Sequence, residues 1–279
     1  MINKNTRYSL LLFGWGILVV GATVAVFSGN AAPLLTPSTL PLNGPISMFV
    51  FAGVPLLGGG VVVALLRKRA WRAAGRRAQL TPDGGLSLLG NPDLVGTRAG
   101  RTVRARTIKR KTGSSGEGGS KHTTYTVIEA EIDDPSEDGI VIGVGDTNEE
   151  TDFGEVTAKV ETEVVDGFPT INNAPDRTEN VLTPKTQAAL EEPDDIDAVY
   201  VGDTSTVILD ALPDADGMIA GKLTDMLKSK VEEKLPGNTH TVTIQTKGVL
   251  LDGGELDRQV AAVATVANEF ETTAPRQSS

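Results

Sequence analysis

The sequence predicts a membrane-anchored α+β protein, in which an N-terminal hairpin of two transmembrane helices precedes a soluble domain of antiparallel sheet and helices. Three observations predict this fold class. The first 82 of the 279 residues contain no aspartate or glutamate, and the rest contain all 36. Two uncharged, mostly apolar stretches of 21 residues lie in the acid-free part, Tyr8–Ser28 and Ile46–Leu66. The acidic part contains runs with the two-residue period of strands and runs with the helical period.

Each apolar stretch is long enough for a transmembrane helix, because a helix rises about 1.5 Å per residue and a hydrocarbon core is about 30 Å thick. Lys4 and Arg7 precede the first stretch, and residues 29–45 between the two carry no charge. Six cations follow the second stretch: Arg67, Lys68, Arg69, Arg72, Arg76 and Arg77. Since cations concentrate on the cytoplasmic side, we expect a multi-pass cell-membrane protein with a cytoplasmic large domain.

A cleaved signal peptide is the alternative interpretation of the first stretch. Lys4 and Arg7 would form its basic start, and residues 29–32 would lie near the cut. Signal peptides have apolar regions of about 7 to 15 residues, which is shorter than this stretch. The uncleaved hairpin is therefore preferred, and both interpretations leave the large domain on the cytoplasmic side.

The cations after the second stretch are the candidate lipid-binding residues. Each cation near an anionic membrane surface contributes about 1 kcal/mol of attraction. The alternative is that they only set the topology. The predicted domains are an anchor with this basic segment at residues 1–78, an acidic α+β domain at 79–271 and a disordered tail at 272–279. The candidate head-group contacts are Arg67, Lys68, Arg69, Arg72, Arg76 and Arg77.

Composition limits the partners and the chemistry of the large domain. Residues 122–279 contain 33 acidic and 10 basic residues, a net charge of −23. Salt near 1 M would screen the repulsion, because the Debye length falls to about 3 Å. We therefore interpret the acidity as adaptation to a high-salt interior, and it argues against a nucleic-acid partner. The absence of cysteine excludes disulfides, thiolate metal sites and cysteine nucleophiles.

A long β-hairpin is predicted near the start of the acidic domain. Arg101–Lys111 and His122–Ile132 alternate at period two around a Gly/Ser-rich loop at residues 112–120. Two arginines on one face of the first strand and two glutamates on one face of the second predict cross-strand ion pairs among Arg104, Arg106, Glu129 and Glu131.

Further strands and helices are predicted along the acidic domain. The strands are Ile140–Val144, Val156–Val165, Ala198–Val201, Thr206–Leu209 and Thr239–Thr246. One helix starts at Thr183-Pro184, another follows Asp216-Gly217, and the strongest is Glu255–Glu271. The last helix has an apolar stripe at 4, 3, 4 and 3 spacing, formed by Leu256, Val260, Val263, Ala267 and Phe270. These elements suffice for one domain, or for two lobes divided near residues 167–175.

No sequence motif specifies an activity, a metal site or a cofactor, and we expect no cofactor. Asp203, Asp210, Asp214 and Asp216 form the candidate acidic site. The run Asp210–Asp216 lacks the ligand spacing of a calcium loop, and turn and capping roles are preferred for acidic clusters in so acidic a chain. His122 and His240 stand outside any metal-binding motif, and each is expected to face solvent or to occupy an ordinary position in a strand. A metal-assisted enzyme with an acidic site near Asp210–Asp216 remains the alternative to a non-enzymatic domain.

Three segments carry a resemblance to a known group of proteins. Gly100–Arg106 precedes the Gly/Ser loop, Thr123–Glu129 follows it, and Lys247–Asp252 precedes the last amphipathic helix. With the two apolar stretches, this order resembles haloarchaeal two-span membrane proteins of unknown function. The resemblance implies no activity and no functional residues. We therefore expect a membrane-tethered interaction or scaffold domain of a halophilic archaeon, with the lipid bilayer and a cytosolic protein as partners.

Overall fold

The structure is a computed structural model of the 279-residue chain. It describes nine ranges and one single residue: 10–11, 13–19, 54–84, 90–115, 119–133, 138–144, 163–194, 196–204 and 240–272, and residue 207. Side chains are described in these ranges except at 54–57 and 111–121. The chain divides into two compact units, Met1–Trp71 and Arg72–Ser279.

The first unit contains helical segments at residues 10–11 and 13–19 and most of helix α1, Val54–Arg77. Trp15 approaches α1 at Gly59, where any added side chain would collide with the indole ring. Glycine is therefore required at this close approach between the two helical segments.

The predicted transmembrane hairpin is wrong. Within the residues that the structure describes, no helix has both the length and the apolar composition needed to cross a membrane. Helix α1, Val54–Arg77, shows the physical reason, because six of its 24 residues are arginine or lysine. Three of these cations, Arg67, Lys68 and Arg69, are consecutive and interrupt the apolar run. The predicted multi-pass cell-membrane localisation, with its cytoplasmic large domain, is overturned by the same finding.

The second unit is built on one large antiparallel sheet. In the described ranges it has nine strands in the order β1-β2-β3-β4-β9-β8-β5-β7-β6. The strands are β1 (Thr81–Asp83), β2 (Asp93–Arg98), β3 (Arg101–Ser115), β4 (Gly119–Glu131), β5 (Gly139–Gly143), β6 (Glu163–Val165), β7 (Phe168–Asn172), β8 (Ala198–Gly202) and β9 (Thr241–Lys247). The predicted fold class was a membrane-anchored α+β protein. In the described residues the sheet is larger than that prediction implied, and the helices are fewer.

The described residues of the second unit include three helices: α2 (Pro175–Val181) and α3 (Pro184–Glu191) between β7 and β8, and α4 (Gly253–Thr272) after β9. Helix α3 starts as predicted, with Pro184 in its first turn and the side chain of Thr183 accepting a hydrogen bond from the Thr186 amide at 3.3 Å. This is the usual N-cap arrangement, in which a threonine oxygen satisfies an amide of the first turn.

Helix α4 covers one face of the sheet. It contacts β4 and β9, and it also contacts α2 and α3. Asp252 caps its start, because its Oδ1 accepts hydrogen bonds from the amides of Gly254 at 2.8 Å and Glu255 at 3.3 Å. The predicted apolar stripe is confirmed, since each of its five members is 0% exposed: Leu256, Val260, Val263, Ala267 and Phe270.

The predicted long hairpin is confirmed with a shorter loop. β3 and β4 pair from Val103↔Ala130 to Ser115↔Gly119, so the strands continue into the segment predicted as a mobile loop. The connections β2–β3 and β6–β7 are tight two-residue turns at Ala99-Gly100 and Asp166-Gly167, where both residues have positive φ. Such turns match the right-handed twist of the strands that they join.

The other sequence predictions have mixed outcomes. Strands β5, β8 and β9 lie within one residue or two of their predicted bounds. Of the predicted strand Val156–Val165, the last three residues form β6, and residues 156–162 lie outside the described ranges. Val207 is helical in the segment predicted as the strand Thr206–Leu209, whose other residues lie outside the described ranges. The helix predicted after Asp216-Gly217 lies outside them as well.

Candidate functional site

The face of the sheet that points away from α4 is called here the far face. Thr246 of β9 donates a hydrogen bond to Gln259 of α4 at 3.0 Å, so Thr246 faces the helix. Because side chains alternate along a strand, Gln245 and Lys247 lie on the far face. Register then places Tyr125 beside Lys247, and Tyr200 beside Thr243, on that same face.

Arg110 and Tyr125 form the centre of a polar cluster on the far face. The guanidinium carbon of Arg110 lies 5.6 Å from the centroid of the Tyr125 ring, within the range of a cation–π contact. Arg110 is half-buried. Gln245 pairs with Val127 and with Ala198, so it lies diagonally between Tyr125 on β4 and Tyr200 on β8. Diagonal neighbours on adjacent strands are about 7 to 8 Å apart.

Burial perturbs the ionisation of two groups in this cluster. Tyr200 is only 6% exposed, and burial raises its pKa to about 12, while the nearby positive charge of Arg110 opposes that rise. Burial also lowers the pKa of Arg110, and the phenols of Tyr200 and Tyr125 partly offset this decrease. Burial disfavours the charged form of each group, so Tyr200 stays a neutral hydroxyl donor at neutral pH.

Arg110 has no carboxylate partner among the described residues, which is unusual in so acidic a chain. The neighbouring arginines differ in this respect. Arg106 forms a salt bridge with Glu129 at 2.6 Å, and Arg104 lies 3.7 Å from Asp83. The predicted cross-strand ion pair is therefore confirmed for Arg106 and Glu129. Among the described residues, Arg104 and Arg106 are therefore paired with carboxylates, and Arg110 is not.

Gln245 carries the second unusual feature of the far face. Its side chain is 7% exposed, and in the described part of the chain its Oε1 atom is buried without a hydrogen-bond partner. An unpaired buried acceptor costs about 1 to 3 kcal/mol, so such atoms in folded proteins call for a specific explanation. We define the far-face cluster as Arg110, Tyr125, Tyr200 and Gln245.

The predicted lipid-binding cations fall in both units. Three of them belong to the first unit, where Arg67 and Lys68 are half-buried and Arg69 is exposed. Arg72, Arg76 and Arg77 belong to the second unit, where Arg77 packs closely on Gly253 at the start of α4. Their contact with lipid stays a prediction.

The first unit exposes an unusual amount of apolar surface on its helical segments. Val61, Val62, Leu65 and Leu66 of α1 are between 44% and 60% exposed. The segments at residues 10–11 and 13–19 expose further large side chains to between 43% and 69%: Leu10, Leu11, Phe13, Trp15, Ile17 and Leu18. Contiguous apolar exposure of this kind marks a surface that contacts lipid or another protein.

The acidic cluster that motivated the enzyme alternative lies almost entirely outside the described residues. Asp210, Asp214 and Asp216 are not described, and Asp203 is half-buried just after β8. Across the ranges that the structure does describe, no group of three or more His, Asp or Glu side chains could hold a metal ion. His122 and His240 are exposed, as expected.

Sequence reasoning missed the far-face cluster. The alternation that predicts β3 and β4 also places Arg110 on one face, but it gives no register between strands. Gln245 offered a signal, because it is the one carboxamide in the otherwise β-branched run Thr241–Thr246. Its neighbours Tyr125 and Tyr200 are 75 residues apart in the sequence, so only the pairing of β4, β9 and β8 brings them together.

Comparisons with known proteins identify no family. No protein-family model matches the chain, and no curated protein matches it. Among solved structures, it is similar to the crystal structure of the mycobacterial trehalose monomycolate transport factor A, TtfA. The two share 8% sequence identity with a TM-score of 0.41, over 76% of this chain and 98% of that one. A likeness of this size supports no statement about this chain's function. The resemblance to haloarchaeal two-span proteins stays a prediction.

Proposed function

We propose that this chain is a non-enzymatic interaction protein whose first unit binds the surface of an anionic lipid bilayer without crossing it. One observation carries the proposal. On α1, the exposed apolar residues Val61, Val62, Leu65 and Leu66 are followed directly by the cations Arg67, Lys68 and Arg69.

The apolar residues supply the first part of the attraction. Removing apolar surface from water is favourable by about 25 cal/mol per Å², so burying four large side chains below the head groups would stabilise the bound state. Helices that bind at the interface place their apolar side chains about 5 to 10 Å into the head-group and acyl boundary.

The cations supply the second part of the attraction to the bilayer, and they favour an anionic surface. Arg and Lys lay their aliphatic stems along apolar surface and keep the charge at the head groups. Three cations at about 1 kcal/mol each amount to roughly a hundredfold in affinity at low salt. Salt screens this attraction, so its size falls as the ionic strength rises.

Vesicle flotation of the full chain tests the proposal. The protein is mixed with vesicles of phosphatidylglycerol or of phosphatidylcholine, at the lowest KCl concentration that keeps it folded. We expect binding to phosphatidylglycerol that weakens when Arg67, Lys68 and Arg69 are replaced by glutamine. The variant Leu65→Ser with Leu66→Ser should lose binding to both kinds of vesicle.

The control variant removes positive charges from β3 instead of from α1. Arg104→Gln with Lys109→Gln neutralises two exposed cations of β3 and should leave vesicle binding unchanged. Equal loss of binding in this control would show non-specific attraction of any cation. Absence of binding by the wild-type chain to both vesicles would overturn the proposal and assign the apolar surface to a protein contact.

A further inference from the structure

The far-face cluster lies in the second unit and is independent of the proposed lipid contact. It combines two features that folded proteins rarely leave together: a half-buried arginine without a carboxylate partner in the described ranges, and a buried carboxamide oxygen without a hydrogen-bond partner there. One group needs an anion, and the other needs a hydrogen-bond donor. A ligand that offers both would satisfy the cluster.

We propose that the far-face cluster binds a phosphate group that carries at least one hydrogen, either free phosphate or a phosphate monoester. Arg110 donates N–H bonds to the phosphate oxygens, and an arginine fork suits phosphate geometry. Gln245 accepts the P–O–H hydrogen at Oε1. The neutral hydroxyl of Tyr200 is a further donor on the same face.

The position of Gln245 gives the site its selectivity. A sulfate ion has the same shape as phosphate but no hydrogen at neutral pH, so it would leave the Gln245 acceptor unpaired. A site with a buried polar group rejects a ligand that cannot pair that group. The glutamine therefore explains how an acidic chain could accept phosphate in a solution full of other anions.

The alternative is that Gln245 has only a structural role. Replacement of Gln245 by leucine distinguishes this structural role from a role in phosphate binding. The two side chains have similar size, and loss of an unpaired buried acceptor should leave the ligand-free chain as stable as before, or more stable. A structural glutamine would instead make the leucine variant melt at a clearly lower temperature.

Calorimetric titration of the full chain with inorganic phosphate and with sulfate, at constant KCl, tests the inference. Phosphate should bind, and sulfate should bind at least about fivefold more weakly. Gln245→Leu should abolish the preference for phosphate over sulfate, and Arg110→Gln should abolish binding of both. Arg104→Gln, on the same strand and face with an exposed side chain, is the matched control and should bind like wild type.

A third titration, with glycerol 3-phosphate, distinguishes free phosphate from a phosphate monoester as the ligand. Tighter binding of the ester than of inorganic phosphate identifies a monoester ligand, whereas binding of inorganic phosphate alone identifies the free ion. A monoester loses its last hydrogen near pH 6, so its affinity should rise as the pH falls through that value. Equal affinity for sulfate and phosphate, a markedly destabilised Gln245→Leu variant, or no binding of phosphate would each overturn the inference.

Discussion

The guanidinium carbon of Arg177 lies 3.9 Å from the ring centroid of Phe270. Arg177 belongs to α2 and Phe270 to the last turns of α4, so the contact joins two helices of the layer that covers the sheet. Arg177 also forms a salt bridge with Asp138 at 2.5 Å, just before β5. Phe270 is thus held between the sheet and a cation whose charge is already paired.

Replacing Phe270 by alanine should destabilise the second unit strongly. The side chain is 0% exposed, and truncation of a buried Phe typically costs about 3 to 5 kcal/mol, a large share of a domain's stability. Thermal unfolding followed by circular dichroism should show a markedly lower melting temperature for Phe270→Ala. Phe270→Leu retains most of the apolar volume and should lose much less. Melting of the alanine variant at the wild-type temperature would contradict the burial of α4.

The ion pair of Arg101 and Glu271 should make stability depend on pH. Arg101 donates to Glu271 from Nη1 at 2.7 Å and also from Nη2. The hydrogen bond from Arg101 is the main reason that the pKa of Glu271 lies below its usual range. A carboxyl with a lowered pKa contributes stability above its unfolded pKa of about 4.3 and loses it as the pH falls through the folded value.

Comparison of wild type with Glu271→Gln across pH measures this contribution. The melting temperature of the variant should be lower at pH 7, and the difference should shrink below about pH 4 as Glu271 of the wild type becomes protonated. A difference that stays constant down to the lowest accessible pH would show that the loss comes from packing rather than from the charge.

Elements with a strong local signal were predictable from the sequence. The 4, 3, 4 and 3 spacing from Leu256 to Phe270 predicted α4 and its buried face, and Thr183-Pro184 predicted the start of α3. The tight turn at Asp166-Gly167 was missed, although Asp-Gly is a strong hairpin signal. The segment after it was considered as a boundary between lobes, whereas β7 pairs with β5 inside the sheet.

What else sequence reasoning missed in the second unit concerns relations between distant parts of the chain. The far-face cluster depends on the register of β4, β9 and β8, which no local pattern encodes. The cross-strand pair of Arg106 and Glu129 was predictable because β3 and β4 form a local hairpin. In such a hairpin, the alternation of side chains along each strand places both residues on the same face.

The net charge of −23 over residues 122–279 predicts that the chain needs high salt to fold. Repulsion among like charges opposes the compact state, and salt screens it more strongly as the Debye length shortens. Circular dichroism of the full chain across a KCl titration should show a melting temperature that rises toward molar salt. Equal melting temperatures at low and molar KCl would contradict the interpretation of the acidity as salt adaptation.

Tyr200 should ionise late, and the chain should lose stability when it does. Burial raises the pKa of Tyr200 to about 12, and an unfolded tyrosine ionises near 10. The neutral phenol is the form favoured by the fold, so its contribution is complete below pH 10 and is lost as the pH rises from 10 to 12. An ultraviolet titration of phenolate absorbance should therefore show a component near pH 12 that disappears in Tyr200→Phe. Tyr125→Phe is the control and should retain that component, because Tyr200 stays buried. Ionisation of Tyr200 near pH 10 while the chain is still folded would show that the far face is open to water at this residue.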